Sequence, residues 1–199
     1  MMRKIWTIAG SAFGLVFLAG AIWSYTSSSD EYPSPFCDVL AGKIYRSAQP
    51  NVGQLERMKQ NLGLKTILNL RGESVCSSSK DCREEAEFAR KNGLKYVVVG
   101  FRNPPTSENV RIVLEVLDDE RNFPVLIHCE LGKVRTGNAV AIYRIERMGW
   151  TSGEATLEML TTELGPKFKH ASSYRRSLYV AGYRPVFPAG SLRPPDTER

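Results

Sequence analysis

Histidine is scarce in this chain, with two residues among 199, and cysteine occurs four times. That scarcity leaves little for a zinc site. Cys76-x5-Cys82 is too wide for a zinc site and no His pair follows it. No segment repeats at a fixed period, which excludes a solenoid or propeller. There is no nucleic-acid-binding motif, no basic stripe interleaved with aromatics and no cofactor motif, so neither nucleic acid nor a cofactor is expected as a partner. Charge is not extreme. The formal net charge is +6, and with Arg3 and Lys4 set aside the rest carries 27 − 2 = 25 basic against 21 acidic residues. Such a surplus suits an anionic substrate or a membrane surface. At 42% hydrophobic and 24% charged residues, the chain has the composition of one globular domain plus an appendage.

The appendage is the N-terminus. Ile5 to Tyr25 is a run without a charged residue, long enough at about 1.5 Å per residue to span a hydrocarbon core of roughly 30 Å as a helix. Arg3 and Lys4 precede the run, which predicts a cytoplasmic N-terminus and a domain carried across the membrane, into a periplasm-like space. Trp6, Trp23 and Tyr25 sit where aromatic rings favour the interface. The alternative is a secreted protein, because Ala19-Gly20-Ala21 also has the small-x-small pattern of a signal cleavage site. Either way the domain is expected outside the cytoplasm. There Cys76 and Cys82 either close a short disulfide loop or stay as free thiols.

Residues 1–25 are thus read as an anchor or signal, 26–35 as a linker rich in Ser and Pro, 36–184 as the domain and 185–199 as a loose tail. Within the domain, strands are predicted at Gly42–Arg46, Thr66–Leu70, Lys95–Val99 and Pro124–His128, the last two as buried strands. Helices are predicted at Val52–Leu62, Cys82–Asn92, after Pro104-Pro105-Thr106-Ser107, and at Thr136–Met148 and Gly153–Leu164, with a weaker one at Ser172–Gly182. Alternation of this kind implies an α/β domain with a mainly parallel sheet flanked by helices. Ligands in such sheets gather at the carboxyl ends of the strands. Arg71, Arg102 and Cys129 each lie just past such an end.

The densest chemistry is in Ile127-His128-Cys129-Glu130-Leu131-Gly132-Lys133-Val134-Arg135-Thr136-Gly137. Strand, tight loop and helix follow one another there. A helix N-terminus offers unpaired N–H groups and partial positive charge, and a loop folded before it makes a nest for an anion. The backbone from Glu130 through Leu131, Gly132, Lys133 and Val134 to Arg135 is the candidate phosphate cradle. A cysteine at its base, Cys129, is favoured as thiolate and can attack phosphorus. The planar fork of Arg135 can grip two phosphate oxygens at once. Thr136 can donate its hydroxyl to the sulfur or merely cap the helix, and His128 can shape the loop by hydrogen bonding.

His-Cys-x5-Arg-Thr-Gly after an apolar strand resembles the protein tyrosine phosphatase superfamily in its dual-specificity branch. Ile44-Tyr45-Arg46-Ser47-Ala48-Gln49-Pro50, Leu68-Asn69-Leu70-Arg71-Gly72-Glu73 and Gly149-Trp150 resemble its atypical bacterial and plant-fungal members. The resemblance covers about Gly42 to Leu164. It implies a cysteine-dependent phosphatase passing through a phosphocysteine, acting on phosphorylated protein or on inositol or lipid phosphates. Lys133 matches a second phosphate contact in atypical members and phosphoinositide phosphatases. Arg71 and Arg102 are possible substrate-facing residues.

One expected part is missing. Related phosphatases place an Asp before the cysteine, on a mobile loop, as general acid. Here that loop is Gly100-Phe101-Arg102-Asn103-Pro104-Pro105-Thr106, without Asp or Glu. Glu108 is nearest, in the first turn of the next helix, where a carboxylate also suits the dipole. Glu130 lies inside the signature but is expected to point outward. The absence favours a pyrophosphate-bearing or multiply phosphorylated small molecule, such as an inositol polyphosphate or a phospholipid head group, since a phosphate leaving group needs a proton less than tyrosine does. The competing functions are a phosphate-binding pseudophosphatase and a sulfurtransferase, whose loops also set a cysteine in an anion nest.

Overall fold

This computed structural model describes residues 31–164 and 179–187, and from Pro33 onward they belong to one compact unit. The expected membrane span over Ile5–Tyr25, the first half of the 26–35 linker, the start of the helix over Ser172–Gly182 and the tail beyond Phe187 lie outside the described residues. Among the described residues no helix is long and apolar enough to cross a membrane.

Five strands form one sheet: β1 (Cys37–Leu40), β2 (Ile44–Ser47), β3 (Thr66–Asn69), β4 (Lys95–Val98) and β5 (Val125–His128), in the order β1-β2-β5-β3-β4. All neighbours run parallel except β1, which returns antiparallel beside β2. The fold is therefore mixed α/β, with a mainly parallel sheet. β5 is central, and its apolar Val125-Leu126-Ile127 is fully buried, as a strand covered on both faces requires.

The helices are α1 (Val52–Leu62), α2 (Glu73–Cys76), α3 (Lys80–Asn92), α4 (Ser107–Asp118), α5 (Val134–Met148) and α6 (Ser152–Leu164). Asn51 and Gln54 start α1 with a reciprocal capping box, which satisfies two otherwise orphaned N–H groups. Thr106 caps α4 by accepting from the Asn109 N–H at 3.1 Å. Side chains alternate across the strands. Ile44, Leu68, Val125 and Ile127 share a core with Val110, Val113 and Leu114 of α4 and with the Ala139–Ile142 stretch of α5. Leu126 and Ile67 turn to the other face, where α1 and α3 bury Leu55, Met58, Phe88 and Ala89.

Five elements differ from expectation. β1 was not expected: it is an edge strand whose four residues show no clean alternation. α2 is a single turn, too short for a periodic signal. α3 and α5 each begin two residues earlier than predicted, at Lys80 and Val134. β4 is not a buried strand. It pairs only with β3 at the sheet edge, and its residues are partly exposed.

Candidate active site

The register places Ser47 of β2 and Asn69 of β3 on either side of His128, at the carboxyl ends of their strands. Beyond that line the three chains leave the sheet on the same edge. The Leu70 N–H donates to the His128 carbonyl at 2.8 Å, so the turn carrying Arg71 stays against the start of the 129–135 loop.

That loop is moulded on the segment after β2. The Gln49 N–H donates to the Glu130 carbonyl at 3.1 Å. The Arg46 guanidinium, only 1% exposed, donates to the Gly132 carbonyl at 2.9 Å. Gly132 has φ +64, and a Cβ there would stand 2.5 Å from Ser47 O and Ala48 N. Glycine is thus demanded twice, by the left-handed backbone and by the close approach of another strand's end. Helix α5 then opens with the Gly137 N–H bonded to the Lys133 carbonyl at 2.5 Å, so the positive end of a fifteen-residue helix begins at the loop.

Cys129 sits at the base of this loop, 5% exposed, and is a free thiol. The Nη1 of Arg135 is buried without a hydrogen-bond partner, as is the hydroxyl of Thr136. A buried donor left unpaired is costly, and here two stand in the first turn of α5, where an oxyanion would satisfy them. The Thr136 hydroxyl does not reach the Cys129 sulfur. Nor does Thr136 cap α5, because the helix starts two residues before it, with Lys133 at the cap position. Glu130, Leu131 and Lys133 expose their side chains, Leu131 at 65%, while Val134 is half-buried. From this cluster it is the backbone that faces the nest.

Behind the loop lies a buried polar cluster that the sequence reading missed. His128 is fully buried. Its Nδ1 lies 3.3 Å from the Cys129 carbonyl, and its Nε2 lies 3.0 Å from Glu85 Oε1, at ion-pair distance but off hydrogen-bond alignment. Glu85, on α3, also accepts from Asn69 Nδ2 at 2.7 Å, from the Tyr96 hydroxyl at 2.9 Å and from Gln49 Nε2 at 3.0 Å. Burial alone pushes the Glu85 carboxyl up. The charge of His128 beside it and hydrogen bonds from Asn69 and Tyr96 outweigh this and hold it below the ordinary carboxylate range. For Tyr96, burial and then the Glu85 charge push the phenol up. The clue in the sequence was positional. In a helix over 80–92, Glu85 shares a stripe with Cys82, Phe88 and Ala89.

Arg71 is held near the loop by two bonds. Its N–H donates to Asn69 Oδ1 and its Nη1 to Gln49 Oε1, each at 2.9 Å. With Glu130, Gln49, Asp81 and Glu84 it lines a cavity of about 290 Å³. Arg102 is exposed on the loop after β4, and the same loop is tied to α5 by Asn138 Nδ2 donating to Asn103 Oδ1 at 3.1 Å. Three carboxylates on either end of α4 that might have replaced the missing acid are engaged elsewhere. Glu108 accepts from Arg111 at 2.5 Å, and that bond holds its carboxyl below the ordinary range. Asp118 pairs with Arg147 at 2.8 Å and Asp119 with Arg121 at 2.8 Å. Cys76 and Cys82 form a disulfide, which settles the alternative the sequence left open. Among the described residues no three His, Cys, Asp or Glu side chains converge to hold a metal ion.

A sequence model described as the tyrosine phosphatase family matches residues 23–162, well over half of the chain. The chain belongs to the tyrosine phosphatase family. It is 32% identical over 118 residues to inositol diphosphatase DSP5 of Arabidopsis thaliana, covering 56% of this chain and 54% of that protein. It is 30% identical over 159 residues to dual specificity protein phosphatase TpbA of Pseudomonas aeruginosa, covering 78% of this chain and 68% of TpbA. The core catalytic domain of the PP-IP phosphatase SIW14 from S. cerevisiae, solved with citrate, superposes with a TM-score of 0.62 at 27% identity, over 77% of this chain and 87% of that one. The chain spans about half the length of the first curated relatives it matches.

Proposed function

We propose that this phosphatase works through a phosphocysteine on Cys129 and acts on small molecules bearing a phosphate anhydride, inositol diphosphates foremost. The observation that carries this reading is the acid-free loop 100–106, with Glu108 held anionic by Arg111. In the first step the Cys129 thiolate attacks phosphorus. An S–P bond forms while the P–O bond to the leaving group breaks, and the electron pair leaves on that oxygen. A tyrosine leaving group, with a pKa near ~10, needs a proton in flight. A phosphate leaving group, with a pKa near ~6, departs as the anion. Water then attacks the phosphocysteine, which releases phosphate and restores the thiolate. Arg135 and the loop N–H groups hold the three equatorial oxygens throughout. Lys133 and Arg102, both exposed, supply cationic contacts for further phosphates.

The names of the relatives agree with this class, since DSP5 is an inositol diphosphatase and SIW14 a PP-IP phosphatase. TpbA, a dual specificity protein phosphatase, supports phosphoprotein as the second reading. We further propose that Ile5–Tyr25 anchors the enzyme, with the domain outside the cytoplasm and the membrane as the partner of that segment.

Phosphate release under reducing conditions tests the substrate class. The panel contains an aryl phosphate, a phosphotyrosine peptide, inositol phosphates and inositol diphosphates, with Cys129→Ser as control. Preference for the diphosphates, lost in the control, is the expected result. Phosphotyrosine turned over orders of magnitude faster would sink the substrate class. No release above the control anywhere would leave a phosphate-binding module.

A further inference from the structure

We propose that Glu85 is a positioning residue of the phosphatase reaction, acting on the nucleophile through His128 and on substrate binding through Gln49 and Arg71. This rests on the reading of a substrate that carries further phosphates. A carboxylate that is 1% exposed survives burial only when its oxygens are satisfied by charge or hydrogen bonds. Glu85 accepts three hydrogen bonds and lies at ion-pair distance from His128, and three of these four partners border the active site. His128 immediately precedes Cys129. Asn69 ends β3, next to His128 in the sheet. Gln49 lies in the segment on which the phosphate loop is moulded.

The second arm ends on Arg71. Both bonds that fix this residue, from its N–H to Asn69 and from its Nη1 to Gln49, go to side chains that themselves donate to Glu85. Arg71 and the loop residue Glu130 line the same cavity beside the phosphate cradle. A guanidinium braced in this way loses little freedom when it meets a second phosphate. If packing were the only requirement at this position, an apolar side chain would serve, as Cys82, Phe88 and Ala89 do along the same stripe.

The test uses the full chain: wild type, Glu85→Gln, Gln49→Ala, Arg71→Ala and the Glu85→Gln/Arg71→Ala double variant. Each is assayed against p-nitrophenyl phosphate and against an inositol diphosphate with several further phosphates, and thermal midpoints are measured alongside. Arg71→Ala is expected to raise KM for the inositol diphosphate about tenfold and to leave KM for the aryl phosphate unchanged. Glu85→Gln should raise the same KM and also lower kcat on the aryl phosphate about tenfold. The double variant should show no KM beyond that of Arg71→Ala, since Glu85 acts on KM through Arg71. Kinetic constants of Glu85→Gln within about twofold of wild type on both substrates overturn the proposal, as do KM effects that multiply in the double variant. Should Glu85→Gln not fold, Gln49→Ala decides. It cuts the bridge to Arg71 with Glu85 in place, and an unchanged KM for the inositol diphosphate overturns the inference. If the wild type hydrolyses only the aryl phosphate, the substrate reading fails, and kcat of Glu85→Gln on that compound alone settles whether Glu85 positions the nucleophile.

Discussion

At the scale of the residue, the site works by geometry that a near-homologous side chain does not reproduce. Arg135→Lys keeps the charge and loses the fork. A hydrogen bond to a charged group is worth about 1.5–3 kcal/mol, so kcat/KM should fall roughly ten- to a hundredfold with little change in melting temperature. Glu108→Gln should leave kcat within about twofold of wild type, because a carboxylate held anionic by Arg111 is no proton donor; a large fall in kcat on a phosphotyrosine peptide would make Glu108 the missing acid. The buried Glu85 gives a prediction in pH. Its carboxyl lies below the ordinary value of 4.5 in the folded state. Its charge therefore stabilises the fold above that value, and the stabilisation is lost as pH falls through the lower, folded-state value. Urea midpoints should show wild type more stable than Glu85→Gln at neutral pH, with the gap closing as the pH falls below the ordinary carboxylate range. These residues were not equally legible. Cys129 and Arg135 stand in a local pattern with fixed spacing. Glu85 meets Gln49, Asn69, Tyr96 and His128 across four other segments, and only its place in an apolar stripe of α3 hinted at burial.

At the scale of the element, two short pieces of chain hold the site, and each can be broken by one atom group. Gly132 is the contact point between the phosphate loop and the end of β2. Alanine there meets backbone at 2.5 Å while the loop needs φ +64, and backbone has no rotamer with which to move away. Gly132→Ala should cut activity by more than about a hundredfold, with a stability loss of roughly 1–3 kcal/mol. A variant with wild-type kcat would show that the loop is not templated by Ser47 and Ala48. The second piece is the Cys76–Cys82 disulfide, six residues apart, which ties α2 to the start of α3 one turn before Glu85. By chain entropy a loop of this size contributes about 2 kcal/mol, so the Cys76→Ser/Cys82→Ser variant should lose about that much in urea unfolding. Cys82 Sγ also lies 3.5 Å from Asn69 Nδ2, so the same variant should raise KM for the diphosphate through the Asn69–Arg71 contact. Helices of three turns with an apolar face, such as α1 and α4, were readable in advance. α2 was not, since one turn carries no period. β1 was not either, because its place is set by pairing with β2 and not by its own four residues.

At the scale of the whole molecule, the strand order explains why distant segments meet. β5 lies between β2 and β3, so one sheet edge gathers the phosphate loop, the Arg46–Gln49 segment and the Leu70–Arg71 turn, which are far apart in sequence. Alternation of strands and helices foretold a parallel sheet and the edge on which the site sits, but not which strand is central, since the order depends on crossovers that local pattern does not encode. The remaining question at this scale is how the domain is held in place. Ile5–Tyr25 offers about 20 apolar or uncharged residues behind Arg3 and Lys4. A spanning helix is not removed by alkaline carbonate, whereas an interfacial or charge-bound segment is released. The full chain should therefore stay in the membrane pellet after a carbonate wash and leave it only with detergent. Release of a shortened chain beginning after Ala21 would establish cleavage and secretion, and release of the intact chain would remove the anchor altogether. In the first case the enzyme reaches only substrates near a membrane surface. In the second it meets soluble diphosphates in free solution, and the same active site serves a different pool.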